Sequence, residues 1–197
     1  MDKYSNVFSP DIYDRIIKFR KWEDAQRSLC GWILLLKGLE IYKLPSGLIG
    51  NIPSNIYGKP YIQKNPLYFN ISHSGEIVVC ALNKDVELGI DIERINEVSL
   101  DDFKENMLVS EWDKINKSED RLQAFYDYWT QKEAVMKAHG TGLNMSLKSF
   151  EIVNNMTFVN DETYYVTKLD IRKEYSCNLA SKTELTDEMI ELIYVID

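Results

Sequence analysis

The 197-residue sequence is poor in the features that mark membrane, secreted and nucleic-acid-binding proteins. It has no long apolar run: the stretch Trp32–Leu36 is far from the roughly 20 residues that a bilayer-spanning helix needs. It opens without the basic stretch, apolar segment and small-residue cleavage site of a secretory leader. Its three cysteines, Cys30, Cys80 and Cys177, are odd in number and far apart. They form no C-x-x-C pair and no zinc spacing, and read as free thiols of a reducing compartment. Positive charge is also in deficit: 23 Lys plus Arg stand against 31 Asp plus Glu, a net charge of −8. The deficit is one-sided, since residues 1–98 carry 12 charges of each sign and residues 99–197 carry 11 basic against 19 acidic side chains. Such a chain has no general field for holding DNA or RNA, although a few focused basic groups can still hold a small anion. Neither G-x-G-x-x-G nor a Walker loop occurs, which removes the usual nucleotide cradles. The expectation is a soluble cytoplasmic protein with neither membrane nor nucleic acid as partner, long enough for one large domain or two small ones.

All five prolines lie in the first 66 residues, so loops concentrate there. Ser9-Pro10-Asp11 reads as a helix start, and Ile12, Ile16, Phe19, Ala25, Leu29, Trp32, Ile33 and Leu36 predict one helix from Asp11 to about Tyr42. An irregular stretch follows, to Tyr57-Gly58-Lys59-Pro60. Short strands are expected at 67–72, 77–82 and 87–92, with turns between them. Helix is expected over 98–117 and 120–139, the second ended by Gly140. Strand-like runs then occupy 150–153, 157–160, 163–169, 175–181 and 189–195. Helices kept apart from runs of strands argue for α+β with mainly antiparallel sheet over a doubly wound parallel fold.

Four constellations carry chemistry. Asp91 and Glu93, two apart on a strand, face one side about 6–7 Å apart at the backbone. Like charges that close repel unless a cation lies between them, and an all-oxygen set suits Mg²⁺. Leu88, Ile90 and Ile92 take the opposite face, and Gly89 admits a close neighbour. Glu133 and Lys137 are four apart on a helix, on one stripe with Phe125 and Trp129. That company sets them apart from an ordinary surface Glu–Lys pair, because such a stripe faces inward and its charges then need partners. Asn70-Ile71-Ser72-His73-Ser74 puts small polar groups and a histidine at a strand end, a compact anion site; neighbouring Ser and His point to opposite faces and cannot form a nucleophile pair. Arg15, Lys18, Arg20, Lys21 and Arg27 make a local basic cluster, either a solvated helix face or a phosphate patch.

Together these residues resemble the 4′-phosphopantetheinyl transferases of the surfactin-synthetase-activating type. The family pattern, G-I-D followed by W-x-x-K-E-x-x-x-K, stands here as Gly89-Ile90-Asp91-Ile92-Glu93 and Trp129-Thr130-Gln131-Lys132-Glu133 with Lys137. Glu23-Asp24-Ala25-Gln26-Arg27-Ser28, Tyr57–Pro60 and Phe69–Ser74 resemble further family motifs, in the same order over about residues 9–150. The resemblance implies an α+β pseudo-dimer of two similar halves with antiparallel sheets, taken here as residues 1–94 and 95–197 with the site in the cleft between them. It implies a monomeric enzyme that moves 4′-phosphopantetheine from coenzyme A to a serine of an apo acyl or peptidyl carrier protein. Asp91, Glu93 and Glu133 match the acids for Mg²⁺ (or Mn²⁺), and Lys137 a pyrophosphate contact. Gly58, Lys59 and Pro60 match a segment along the adenine, and Arg15, Arg27, Ser28, Ser72 and His73 positions around the 3′-phosphate. Glu111 matches a carboxylate near the attacking hydroxyl, so Glu111 and Glu133 are the two candidate bases, with Glu111 favoured because a metal would constrain Glu133. Only Met1–Phe8 precede Ser9, where family members carry a strand and helix, so a shortened N-terminal half is expected. The alternatives are a non-catalytic carrier-binding homologue and a metal-dependent phosphodiesterase, the second disfavoured by the net charge of −8.

Overall fold

In a computed structural model that describes residues 8, 10–63 and 67–195, two long helices each cover an antiparallel sheet. The first unit is α1 (Pro10–Ile17), α2 (Trp22–Ile41), β1 (Tyr68–Ser74) and β2 (Ile77–Asn83). The second is β3 (Leu88–Arg94), α3 (Val109–Lys117), α4 (Arg121–His139), β4 (Met156–Val159), β5 (Glu162–Lys168) and β6 (Tyr175–Ser181). β1 and β2 pair as a hairpin, and the second sheet runs β3-β6-β5-β4, antiparallel throughout. The α+β expectation holds, with a helix-covered antiparallel sheet in each half.

Glycine sets how closely each helix lies on its sheet. In α2, a Cβ on Gly38 would meet the Leu82 side chain at 2.5 Å, and one on Gly31 the Ile71 side chain at 2.9 Å. In the second half the glycine is on the strand: a Cβ on Gly89 would meet Ala138 N at 2.2 Å and Ala134 O at 2.3 Å, so α4 backbone lies directly on β3. Between the halves, Leu88, Ile90 and Ile92 of β3 join Cys177 and Leu179 of β6 in a core against which Ile77, Val79 and Ala81 of β2 pack. That burial frees the other face of β3, with Gly89, Asp91 and Glu93, for α4.

Several expected elements differ. The single helix over 11–42 is broken at Lys18–Lys21, because Phe19, the one apolar side chain there, is exposed and no core holds that turn. Lys21 instead takes extended backbone at the start of α2. The expected helix over 98–117 divides into a 3₁₀ segment, Leu100–Asn106, and α3, because Met107 and Leu108 are extended. Residues 150–153 and 189–195 are not strands. The first makes only an isolated bridge, Val153 to Met156, and the second follows a 3₁₀ turn with Leu192–Val195 exposed. Neither meets a partner strand, without which a β-prone run has no ladder to join. Among the described residues no helix is long and apolar enough to cross a membrane.

Candidate active site

β3 and α4 build the charged centre. Asp91, 3% exposed, receives the Lys137 ammonium at 2.5 Å on Oδ1. Lys137 Nζ also donates to Ser72 Oγ at 3.0 Å, and that hydroxyl donates to Asp91 Oδ1 at 3.0 Å. Ser74 Oγ donates to Glu93 Oε2 at 2.6 Å. Glu133, half-buried one turn before Lys137, completes the group. Burial pushes the Glu133 carboxyl above its ordinary range and the nearby Asp91 charge pushes it further, while Lys137 opposes. Glu93 is raised by burial too, against the Ser74 hydrogen bond, and Asp91 again adds. The three carboxylates and the lysine therefore lie within electrostatic reach of one another.

The seam beneath them has a particular construction. Ile90 N–H donates to Asn70 Oδ1 (2.9 Å), Ile92 N–H to Ser72 Oγ (3.4 Å) and Arg94 N–H to Ser74 Oγ (2.9 Å). Partners rise together along both chains, so β1 and β3 run parallel, joined by side chains where a sheet would use carbonyls. The same two serines hold Asp91 and Glu93, so the seam also orients the acids.

The anion-site residues are partly gathered. His73 is held below its ordinary pKa first by burial and then by the Arg27 charge, with Lys137 adding, so Arg27, His73 and Lys137 share one positive region. Arg27 Nε donates to the Gly75 carbonyl (2.8 Å), closing the β1–β2 turn, and Nη1 pairs with Asp24 at 2.6 Å. Ser28 follows it on α2, half-buried. The Arg15 side chain lies outside the described residues. Gly58 has φ +91, with open space where a Cβ would stand. Lys59 is drawn into the fold: its Nζ donates to the carbonyls of Ala138 (3.0 Å) and Leu88 (3.3 Å), and burial lowers its pKa. With Pro60, Tyr61, Tyr68 and Phe69 it lines a cleft of about 480 Å³.

Glu111 stands elsewhere. It is 0% exposed, with Oε1 2.8 Å from the equally buried Lys132 ammonium and Oε2 accepting from Leu108 N–H at the start of α3. Lys132 Nζ donates onward to the carbonyls of Leu147 (2.6 Å) and Phe150 (2.7 Å). This charge serves its own ion pair and meets no solvent. Sequence reasoning did not single out Asn178, and it quoted Asn70 and Lys132 inside motifs without giving either a role. Asn70 was legible in principle, since Asn70, Ser72 and Ser74 alternate along one strand face.

Among the described residues, no three His, Cys, Asp or Glu side chains gather as a ready-made metal cage. The donor chemistry nevertheless fits a hard cation. Asp91 Oδ2 is buried without a hydrogen-bond partner, and a lone buried carboxylate oxygen among mutually repelling acids is what a divalent ion relieves.

Three carboxylates and a lysine thus meet where α4 lies on β3, with an acid set whose chemistry fits a hard cation. Residues 87–185 match the model of the 4′-phosphopantetheinyl transferase superfamily, and residues 4–85 that of the N-terminal part of 4′-phosphopantetheinyl transferase. The chain is 36% identical over 158 residues to the 4′-phosphopantetheinyl transferase gsp of Aneurinibacillus migulanus, covering 78% of this chain and 64% of that protein. It is 34% identical over 155 residues to the 4′-phosphopantetheinyl transferase Sfp of Bacillus subtilis, covering 77% of this chain and 68% of that one. Against the L-aminoadipate-semialdehyde dehydrogenase-phosphopantetheinyl transferase of Mus musculus the identity is 31% over 159 residues, 72% of this chain and 51% of the other. The chain belongs to the 4′-phosphopantetheinyl transferase superfamily. It spans about two thirds of the length of the bacterial relatives and about half that of the mouse protein.

Proposed function

We propose that this protein transfers the 4′-phosphopantetheine group of coenzyme A to a serine of an apo acyl or peptidyl carrier protein. The serine oxygen bonds to the β-phosphorus, the bond from that phosphorus to the bridging oxygen breaks, and 3′,5′-ADP leaves. The observation that carries this reading is the Asp91–Lys137–Ser72 cluster, flanked by Glu93 and Glu133, in a chain matched to the family on both halves. The boundary between the halves is read between β2 and β3 rather than at residue 94, because β3 pairs with β6 in the second sheet.

Asp91, Glu93 and Glu133 would hold Mg²⁺ (or Mn²⁺), which supplies charge neutralisation on the pyrophosphate, the dominant need in phosphoryl transfer. Lys137 adds a fixed positive charge, held in place by Asp91 and Ser72. Arg27 supplies positive charge near the His73 ring, a pairing suited to a 3′-phosphate that would protonate the ring, and the cleft beside Lys59 and Pro60 suits the adenine. Glu133 is the better candidate for taking the serine proton, because Glu111 is sealed against Lys132. The deciding experiment incubates the protein with coenzyme A, Mg²⁺ and apo carrier protein, with mass spectrometry of the carrier. A phosphopantetheine adduct is expected. Folded protein that modifies neither an acyl nor a peptidyl carrier overturns the reading, and retained carrier binding in that case favours the non-catalytic homologue.

A further inference from the structure

Asn178 is the cross-strand partner of Asp91 in the β3–β6 ladder, so both side chains leave the same face of the sheet, the one that α4 covers. It is 0% exposed, and its Nδ2 donates to Thr130 Oγ1 at 2.8 Å. Its amide orientation follows from Thr130, which is 0% exposed: Ser176 gives its proton to Asp127 (2.6 Å), so the one Thr130 proton is already sought by the Tyr126 carbonyl (2.8 Å) and Ser176 Oγ (2.9 Å), leaving the Thr130 oxygen to accept from Asn178. Asn178 Oδ1 is therefore directed away from Thr130, and it has no hydrogen-bond partner, like Asp91 Oδ2. Three buried side-chain atoms among the described residues lack such a partner, and the third, Glu111 Oε1, has the Lys132 ammonium beside it. The two left over sit on paired residues, and both are acceptors. Neither can satisfy the other, and each unmade hydrogen bond of this kind is costly. Two buried acceptors can be satisfied by a bridging water, which has two protons to give, or by a cation, and the mutually repelling Asp91, Glu93 and Glu133 beside them favour the cation.

We infer that Asn178 is a further member of the cation site, its Oδ1 serving the ion or a water of the ion's shell beside Asp91 Oδ2. The inference rests on the metal-site reading above. Asn178 is a positioning residue for the ion, and its other amide arm is fixed through Thr130 to α4, the helix of Glu133 and Lys137.

The test is Mn²⁺ binding by calorimetry, together with the rise in melting temperature that Mn²⁺ produces, neither of which requires turnover. Asn178→Leu keeps the branched outline with a larger volume and removes the acceptor together with the donor to Thr130, so Mn²⁺ affinity should fall about 10-fold or more, the range for groups that support metal ligands. Asn178→Asp keeps the acceptor and adds charge. Its metal-free form should melt lower than wild type, and its Mn²⁺-induced rise should be larger. Thr130→Val, which cuts the other arm and leaves Oδ1 in place, should change affinity less than 3-fold. Folded Asn178→Leu protein binding Mn²⁺ as wild type overturns the inference and leaves the metal site standing. Should Asn178→Leu fail to fold, an Asn178→Asp variant whose Mn²⁺-induced rise equals that of wild type overturns it instead. Wild-type protein that binds no Mn²⁺ even with coenzyme A present overturns the metal site and this inference together.

Discussion

Lys132 ends where no water reaches, and its charge is tolerable only because Glu111 and two carbonyls surround it. Removing one member of such a pair strands the other. Glu111→Ala should therefore cost about 3–5 kcal/mol of stability, while Glu111→Leu combined with Lys132→Met costs far less. Urea denaturation reads both. Because Glu111 is occupied in this way, Glu111→Gln should keep the acidic limb of its pH–rate profile, and loss of that limb would return the base role to it. His73 gives a proton-linked prediction. Its pKa is depressed in the folded protein, so the unfolded chain binds the proton more readily. Stability contributed by the neutral ring is fully present above the unfolded value of about 6.5 and is lost as pH falls from there through the lower folded value. An adjacent phosphate dianion reverses the preference, so coenzyme A binding near pH 6.5 should take up protons. Calorimetry in buffers of different ionisation heat should show that uptake for coenzyme A, less for dephospho-coenzyme A, and no such difference in His73→Ala.

Among the elements, β3 and α4 form the pair on which the site depends, and Gly89 is where they touch. Gly89→Ala would drive a methyl group into helix backbone, which has no rotamer by which to yield. The expected result is a loss of about 1–3 kcal/mol or more together with loss of transfer, since α4 must retreat carrying Glu133 and Lys137. Gly47→Ala, with open space around it, is the matched control and should leave activity unchanged. A Gly89→Ala enzyme with wild-type rate would show that the helix position is not critical. This contact was half legible in the sequence: a glycine two residues before an acid on an apolar strand announces a close neighbour, but not which one. The elements most readable were those with internal periodicity, β1 to β3 and α4, and the charges at i, i+2 and i, i+4 came with them. Features set by distant partners were hidden. Glu111 looks like a surface residue near the start of a helix until Lys132, 21 residues on, is packed against it. Lys59 likewise finds its carbonyls 29 and 79 residues away. The run 189–195 had strand letters and no strand to meet.

For the molecule as a whole, the two halves meet through an apolar layer and through the side-chain hydrogen bonds of Asn70, Ser72 and Ser74. Asn70→Ala leaves the buried Ile90 amide without an acceptor and should cost about 1–3 kcal/mol in chemical denaturation. Asn70→Asp keeps an acceptor oxygen and should lose less. A loss below about 0.5 kcal/mol for the alanine variant would mean that the Asn70 bond adds little to the joint beyond what the apolar layer and the two serines supply.

The alternation of that joint also makes it self-indexing. Sliding one strand past the other by a single residue would offer Ile71, which has no acceptor, to one of the β3 amides, so the single step is forbidden by chemistry as well as by packing. A slide of two residues restores acceptors to two amides but gives one acid the other's serine and leaves the second acid with none. The alignment of the halves and the aim of the carboxylates are thus one setting, and an error in the first cannot leave the second intact.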